Sequence, residues 1–351
     1  MNLLAYPRVW PAMNADELPA ARVAVEHRSG YVLLTDDGRE LSAELAGRLR
    51  HDAERGLPPG LPAVGDRVRY RPTDDGRAVV HTVEPRRSLF VRKEAGRRHA
   101  AQPLASNVDA VFLVSPLPDG VNLRRLERFL SLTYDSGAKP VFVLNKADLC
   151  PDPLAALAIL LPLAADVPLH VVSAANGTGI AELETYFVDG ATVALLGASG
   201  VGKSSLINRL LGREVLATGG LREDGKGRHT TTHRQLLVRP GGGAVIDTPG
   251  LRELALWEGG DGVESAFAEV EDFAAHCRFR DCTHESEPGC AVRAAVASGQ
   301  IDADRLTSYR ALRAELAYLE RRGDVQAQQE RKRRDKALIK EANRYIRRKR
   351  H

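Results

Sequence analysis

The chain of 351 residues is 43% hydrophobic and 27% charged, with a formal charge of +4. Its apolar runs fall short of the roughly 18 residues a helical membrane span needs, which excludes that class and leaves room for two or three globular domains. The charge is uneven: residues 331–351 hold 11 Lys/Arg against 2 Asp/Glu, so a basic tail follows a mildly acidic body and suits a polyanionic partner.

The N-terminus lacks the basic-then-apolar pattern of a secretion signal, and a cytoplasmic location without membrane contact is expected. Residues 21–91 alternate apolar and polar positions between turns at Ser29-Gly30, Asp36-Asp37-Gly38 and Asp74-Asp75-Gly76. Short strands in this rhythm predict a small barrel, an OB-fold or the similar-looking SH3-like barrel, within a first domain spanning 1–98. Arg67, Arg69, Arg71, Arg86 and Arg87 are candidates for a nucleic-acid-binding face on it.

From about residue 107 the pattern becomes α/β, giving a second domain over 99–262. "VDAVFLVSPL", "KPVFVLNKAD", "LHVVSA", "ATVALLG" and "GGAVIDTPG" are apolar runs of the kind buried parallel strands require. Between the first two, Leu123, Leu126, Phe129 and Leu130 share one face of a predicted helix that Gly137 stops. Helices are also expected over Ile180–Phe187 and Lys203–Leu211.

Two motifs in this domain stand in an unusual order. "GASGVGKSS" (Gly197, Ala198, Ser199, Gly200, Val201, Gly202, Lys203, Ser204, Ser205) follows a strand and opens a helix. Its glycines let backbone N–H groups converge on phosphate oxygens, Lys203 reaches the terminal phosphates and the Ser204 hydroxyl suits Mg²⁺. "IDTPG" follows 43 residues after that lysine, with Asp247 placed for Mg²⁺ and the Gly250 N–H for the γ-phosphate. The intervening "GRHTTTH" offers Thr230, Thr231 or Thr232 as a further Mg²⁺ ligand, and Thr231 is taken. Upstream stands "NKAD". The Asp148 carboxylate can accept from guanine N1–H and the exocyclic amine, Asn145 can bond the purine edge, and the Lys146 stem can pack on its face. Ser173-Ala174 closes the next strand and offers a backbone N–H to the guanine oxygen. Base recognition thus precedes phosphate chemistry, as in a GTPase domain cut and rejoined elsewhere, which spatially close termini permit.

Past residue 260 the chain turns helical, and 263–351 form the third domain, with a long helix near Leu306–Arg322 and then the basic tail. Cys277-x₄-Cys282-x-His284-x₅-Cys290 supplies three thiolates and an imidazole, a set that closes a tetrahedral structural Zn²⁺ site. Cys150 stands apart as an ordinary thiol.

Together the barrel, the permuted motif order, the cysteine–histidine cluster and the basic helical tail resemble the RsgA (YjeQ/YloQ) family of circularly permuted GTPases dependent on the small ribosomal subunit. The resemblance implies hydrolysis of GTP to GDP and phosphate in late maturation of the 30S subunit, with the OB-fold and the zinc domain contacting 16S rRNA. Leu251, Arg252 and Glu253 occupy the place where many GTPases keep a water-orienting Gln, so slow hydrolysis without the partner is expected, with His229 as the candidate for orienting water. Gly200 stands where some K⁺-activated GTPases place an Asn, which argues against a monovalent-cation requirement. A monomer is expected. Two other readings stay open, a module holding its nucleotide as a static ligand and an ATP-dependent RNA enzyme.

Overall fold

The computed structural model describes residues 17–27, 29–93, 101–117, 121–161, 163–164, 166–216, 234–247, 261–318 and 321. They belong to two compact units: Met1–Arg92, Ala100–Val121 and Gly137–Glu253 contribute to the first, and Lys93–His99, Asn122–Ser136 and Leu254–His351 to the second.

The first unit begins with β1 (Ala20–His27), β2 (Gly30–Thr35), β3 (Glu40–Leu45), helix α1 (Gly47–Glu54), β4 (Arg67–Pro72) and β5 (Ala78–Val83). Strand β1 pairs with both β2 and β4, β3 pairs parallel with β5, and β5 pairs with β4. The ladder therefore closes on itself in the order 1-2-3-5-4, with α1 between β3 and β4, which decides for the OB-fold over the SH3-like alternative. Alternation drives the closure: Ala21, Val23, Leu33, Val68 and Val80 point inward and are fully buried, leaving their neighbours to solvent. A short ladder of β6 (Leu89–Lys93) and β7 (Ala101–Ser106) follows.

Strands β8 (Ala110–Pro116), β9 (Lys139–Asn145), β10 (Leu169–Val171), β11 (Thr192–Gly197), β12 (Arg234–Val238) and β13 (Ala244–Asp247) form a sheet ordered β10-β9-β8-β11-β13-β12. All its pairings are parallel except β12 with β13. Phe112, Val143, Val193, Leu195 and Val245 pack on one face with α4 (Ile180–Leu183) and α5 (Lys203–Leu211), while Val111, Leu113, Phe142 and Leu144 are equally buried on the other. Burial on both faces accounts for the uninterrupted apolar runs. The helix expected to reach Phe187 ends at Leu183, and a 3₁₀ segment, Glu184–Gly190, continues it. Helix α3 (Pro153–Leu160) completes the unit's helices. The sheet does not stop at β12, whose outer edge pairs antiparallel with β1 of the barrel.

The second unit is helical: α2 (Leu123–Ser136), α6 (Asp261–Ala266), α7 (Ala268–Ala274), α8 (Ala291–Ala297) and α9 (303–318). Helix α2, which the sequence places between two strands of the α/β domain, packs here against α6. Gly262 makes the approach possible, because a Cβ there would sit 2.2 Å from the Ser131 carbonyl oxygen, and its N–H donates to Asp135 at 2.7 Å. Leu126, Phe129, Leu130, Val263, Phe267 and Leu312 are buried in this unit. No helix among the described residues is long and apolar enough to cross a membrane.

Candidate functional site

The parallel strands β9, β8, β11 and β13 end along one edge of the sheet, the edge where α/β sheets take ligands. Asn145 closes β9, Gly197 closes β11 and Asp247 closes β13. Only β8 separates β9 from β11. At about 4.8 Å per strand, the ends of β9 and β11 lie roughly 10 Å apart, a span one nucleotide covers.

The loop after β11 turns through Gly200 (φ 80°) and Gly202 (φ 95°) into α5. A Cβ on Gly202 would meet the Asn145 amide nitrogen at 2.3 Å, so the loop requires glycine there for space as well as conformation. No side chain caps α5, and its first-turn N–H groups are directed at the loop, a ready anion site. Lys203 Nζ donates to the carbonyls of Gly197 (2.8 Å) and Ala198 (2.7 Å), which holds the ammonium at the loop's rim. Ser204 and Ser205 are half-buried in the first turn.

Opposite, Lys146 adopts the left-handed conformation (φ 65°, ψ 36°) and starts a 3₁₀ turn, Ala147–Leu149, that presents Asp148 to solvent. The buried Ser173 hydroxyl donates to Asp148 Oδ1 and accepts the Asn176 N–H at 3.3 Å, which fixes the carboxylate's direction. Asn145 is 2% exposed. Its Nδ2 donates to the Val201 carbonyl at 2.9 Å and its Oδ1 accepts the Ala174 N–H at 3.0 Å. Asn145 thus braces the phosphate loop against the Ser173-Ala174 loop, and its Nδ2 keeps a second hydrogen beyond the one given to Val201. The Oδ1 bond engages the Ala174 N–H that the sequence offered to the guanine oxygen.

Arg209, on the helix the phosphate loop opens, completes the arrangement. Its Nε donates to the Ala174 carbonyl at 3.2 Å and a terminal nitrogen donates to that of Ala175 at 2.6 Å. Sequence reasoning missed it. The available signal was a basic residue in the last turn of α5, and nothing local names its partners. Asn208 beside it accepts the N–H groups of Val215 (3.0 Å) and Leu216 (2.8 Å), tying the chain back to α5 just after the helix ends. Asp247 lies half-buried at the end of β13, the neighbour of β11, in register with Gln235 of β12. His229, Thr230, Thr231, Thr232, Gly250 and Leu251 lie outside the described residues, as does the basic tail.

In the second unit, ligand atoms of Cys277, Cys282, His284 and Cys290 lie within 4.8 Å of one another. The Sγ atoms of Cys277 and Cys290 are 3.9 Å apart, and His284 Nδ1 is 3.6 and 3.4 Å from them. A tetrahedral ion with bonds of about 2.3 Å to sulfur sets its thiolates roughly 3.8 Å apart, so the residues present fit such an ion. Burial pushes the Cys282 thiol up to about 11 and lowers the His284 imidazole, which favours the neutral ring a ligand must be. At Cys277 burial also raises the thiol, but hydrogen bonds from the Val292 and Ala291 N–H groups and from the neighbouring thiols outweigh it and bring the net value below normal. Cys290 caps α8, its sulfur accepting the Arg293 N–H at 3.4 Å. Three thiols this close cannot ionise together without a cation among them. Cys150 is a half-buried free thiol outside the cluster.

The arginines nominated on the barrel are largely neutralised within it. Arg67 pairs with Asp36 and Glu84, Arg69 with Glu84 at 2.7 Å, and Arg87 with Asp109 at 2.9 Å. Arg86 forms two bonds, 2.8 and 2.7 Å, to Asp66, whose side chain is 0% exposed, and two more to the carbonyls of Pro59 and Leu61. Arg86 is a structural clamp, and breaking its pair would cost about 3–5 kcal/mol.

A family model described as RsgA GTPase matches residues 83–257. The small ribosomal subunit biogenesis GTPase RsgA of Opitutus terrae is 51% identical over 325 residues, covering 90% of this chain and 88% of that protein. The protein of the same name from Streptomyces coelicolor is 44% identical over 321 residues, covering 90% and 85%. Among solved structures, YjeQ from Thermotoga maritima matches with TM-score 0.65 and 30% identity over 85% of this chain and 98% of its own. YloQ, a circularly permuted GTPase, matches with TM-score 0.61 over 89% of this chain and 98% of its own, at 22% identity, a likeness of fold.

Proposed function

The chain belongs to the RsgA GTPase family, and from that premise we propose that it hydrolyses GTP to GDP and phosphate in the biogenesis of the small ribosomal subunit, which in turn stimulates the reaction. The observation that carries this reading is the Asn145 brace, which joins the NKAD turn, the Ser173-Ala174 loop and the phosphate loop into one site despite their reversed order in the chain.

In this reading the first-turn N–H groups of α5 and the loop from Gly197 to Gly202 bind the phosphates. Lys203 leaves the loop carbonyls for the β- and γ-phosphate oxygens. Ser204 and Asp247 hold the Mg²⁺ that offsets charge developing on the transferring phosphoryl group, and Thr231 joins them when GTP is bound. Ser173 aims Asp148 at the guanine N1–H and amine, groups adenine lacks, so ATP is rejected by an unpaired carboxylate. Gly250 senses the γ-phosphate and His229 orients water. Cys277, Cys282, His284 and Cys290 hold one structural Zn²⁺. The domains are 1–98, 99–262 and 263–351, with the first and third contacting 16S rRNA, and the protein is a cytoplasmic monomer.

The test is GTP turnover by the whole chain with and without purified small subunits. Acceleration of at least about tenfold is expected, with Lys203→Ala abolishing it; equal rates with and without subunits would remove the ribosomal half of the reading.

A further inference from the structure

The loop between the first two ligands of the cysteine–histidine cluster reads Cys277-Arg278-Phe279-Arg280-Asp281-Cys282. Phe279 is 41% exposed, one of the few large apolar side chains the described residues leave in solvent. Arg278 and Arg280 flank it and are both exposed. The Arg278 guanidinium lies 5.5 Å from the Phe279 ring centroid, at cation–π range. Among the described residues no carboxylate pairs with either arginine, in contrast to Arg67, Arg69, Arg86 and Arg87 on the barrel. The other carboxylates of this module are engaged: Glu285 pairs with Arg310, and Glu287 accepts from Thr283 and from the N–H groups of Glu285 and Ser286. Asp281 is the loop's own single acidic group.

Rigidity is the second half of the argument. Both ends of the loop are cluster residues, and the Arg278 N–H donates to the Gly289 carbonyl at 3.2 Å. A six-residue loop pinned in this way loses little freedom when its aromatic ring is covered. An exposed ring with one guanidinium over it and a second, unpaired one next in the chain complements a nucleobase and its adjoining phosphates.

We propose that Phe279 is a stacking platform for an unpaired RNA base, with Arg278 and Arg280 holding the adjoining phosphates. This deepens the reading that the chain works on the small ribosomal subunit and rests on it. It adds an RNA contact in the third domain separate from Arg67, Arg69, Arg86 and Arg87, which carboxylates already pair.

The zinc-loaded whole chain is titrated with small ribosomal subunits as wild type, Phe279→Ala, Phe279→Trp and the double variant Arg278→Gln/Arg280→Gln. Phe279→Ala should lose about tenfold in affinity while keeping its zinc. Phe279→Trp should bind as wild type, show quenched emission on binding and crosslink to RNA under ultraviolet light. The double variant should bind more weakly and with a shallower salt dependence. Wild-type affinity in Phe279→Ala overturns the proposal. So does Phe279→Trp crosslinking to a ribosomal protein and not to RNA, a result that stands even if Phe279→Ala were to lose its metal. Failure of the wild-type chain to bind subunits at all would instead sink the underlying reading, so the two failures are distinguishable.

Discussion

Asn145 commits both ends of its amide to backbone groups far away in the chain, the Val201 carbonyl and the Ala174 N–H. The four letters of NKAD are legible in a sequence, but that use of them is not, because both partners arrive only when the sheet assembles. Asn145→Ala would leave two buried backbone groups unpaired at about 1–3 kcal/mol each, and urea denaturation should show a loss of about 2–6 kcal/mol. Arg209 makes a different prediction. Its side chain is exposed, so Arg209→Ala should change folding stability by less than about 0.5 kcal/mol. Releasing the Ala174 and Ala175 carbonyls should nevertheless weaken GDP binding by a factor of about five, measured by titration calorimetry, as each bond of this type is worth on the order of 1 kcal/mol. Unchanged affinity would show that the loop holds its shape without the tie.

At the scale of elements, β12 is the piece the sequence did not yield. "RQLLV" is short, and one of its two pairing partners lies more than 200 residues earlier, so no local pattern announces it. Gln235 stands in register with Val25 of the barrel on one side and with Asp247 on the other. Arg234 bonds Glu26 across the same junction at 2.7 Å, and Arg22 of β1 reaches Thr192 of β11 at 2.9 Å. The strand following the threonine-bearing segment is thus hydrogen-bonded to both the Asp247 strand and the barrel. Arg234→Glu places like charges together at a half-buried spot, and amide exchange in β1 and β12 should accelerate about tenfold while that in β9 stays unchanged. Uniform acceleration across the sheet would mean global destabilisation and would remove the junction's special place.

For the whole molecule, the permuted order was readable because each motif closes its own apolar strand, and parallel strands bring their ends to one edge wherever the chain is cut. The barrel was readable from alternation, and its OB topology emerged only from the closing pair of β1 with β4. The grouping of α2 with the C-terminal helices was not readable, since a helix between two strands looks the same whichever unit it joins. The cysteine spacing gave the cluster, whereas the exposed ring of Phe279 within it needed coordinates. Because Cys277–Cys290 and Lys203 lie in different units, chelating the metal should abolish binding to small subunits while changing GDP affinity by less than about threefold.

One measurement bears most directly on the claim that Asp148 and Lys203 act on a single guanine nucleotide. In Asp148→Asn an amide replaces the carboxylate, and it can donate to the carbonyl that xanthine carries where guanine has its amine. With small subunits present, GTP turnover should fall at least a hundredfold, on the order expected when polar groups at a base are mismatched, and XTP turnover should rise to replace it. Adding Lys203→Ala should abolish both. An undiminished preference for GTP in Asp148→Asn would contradict the account.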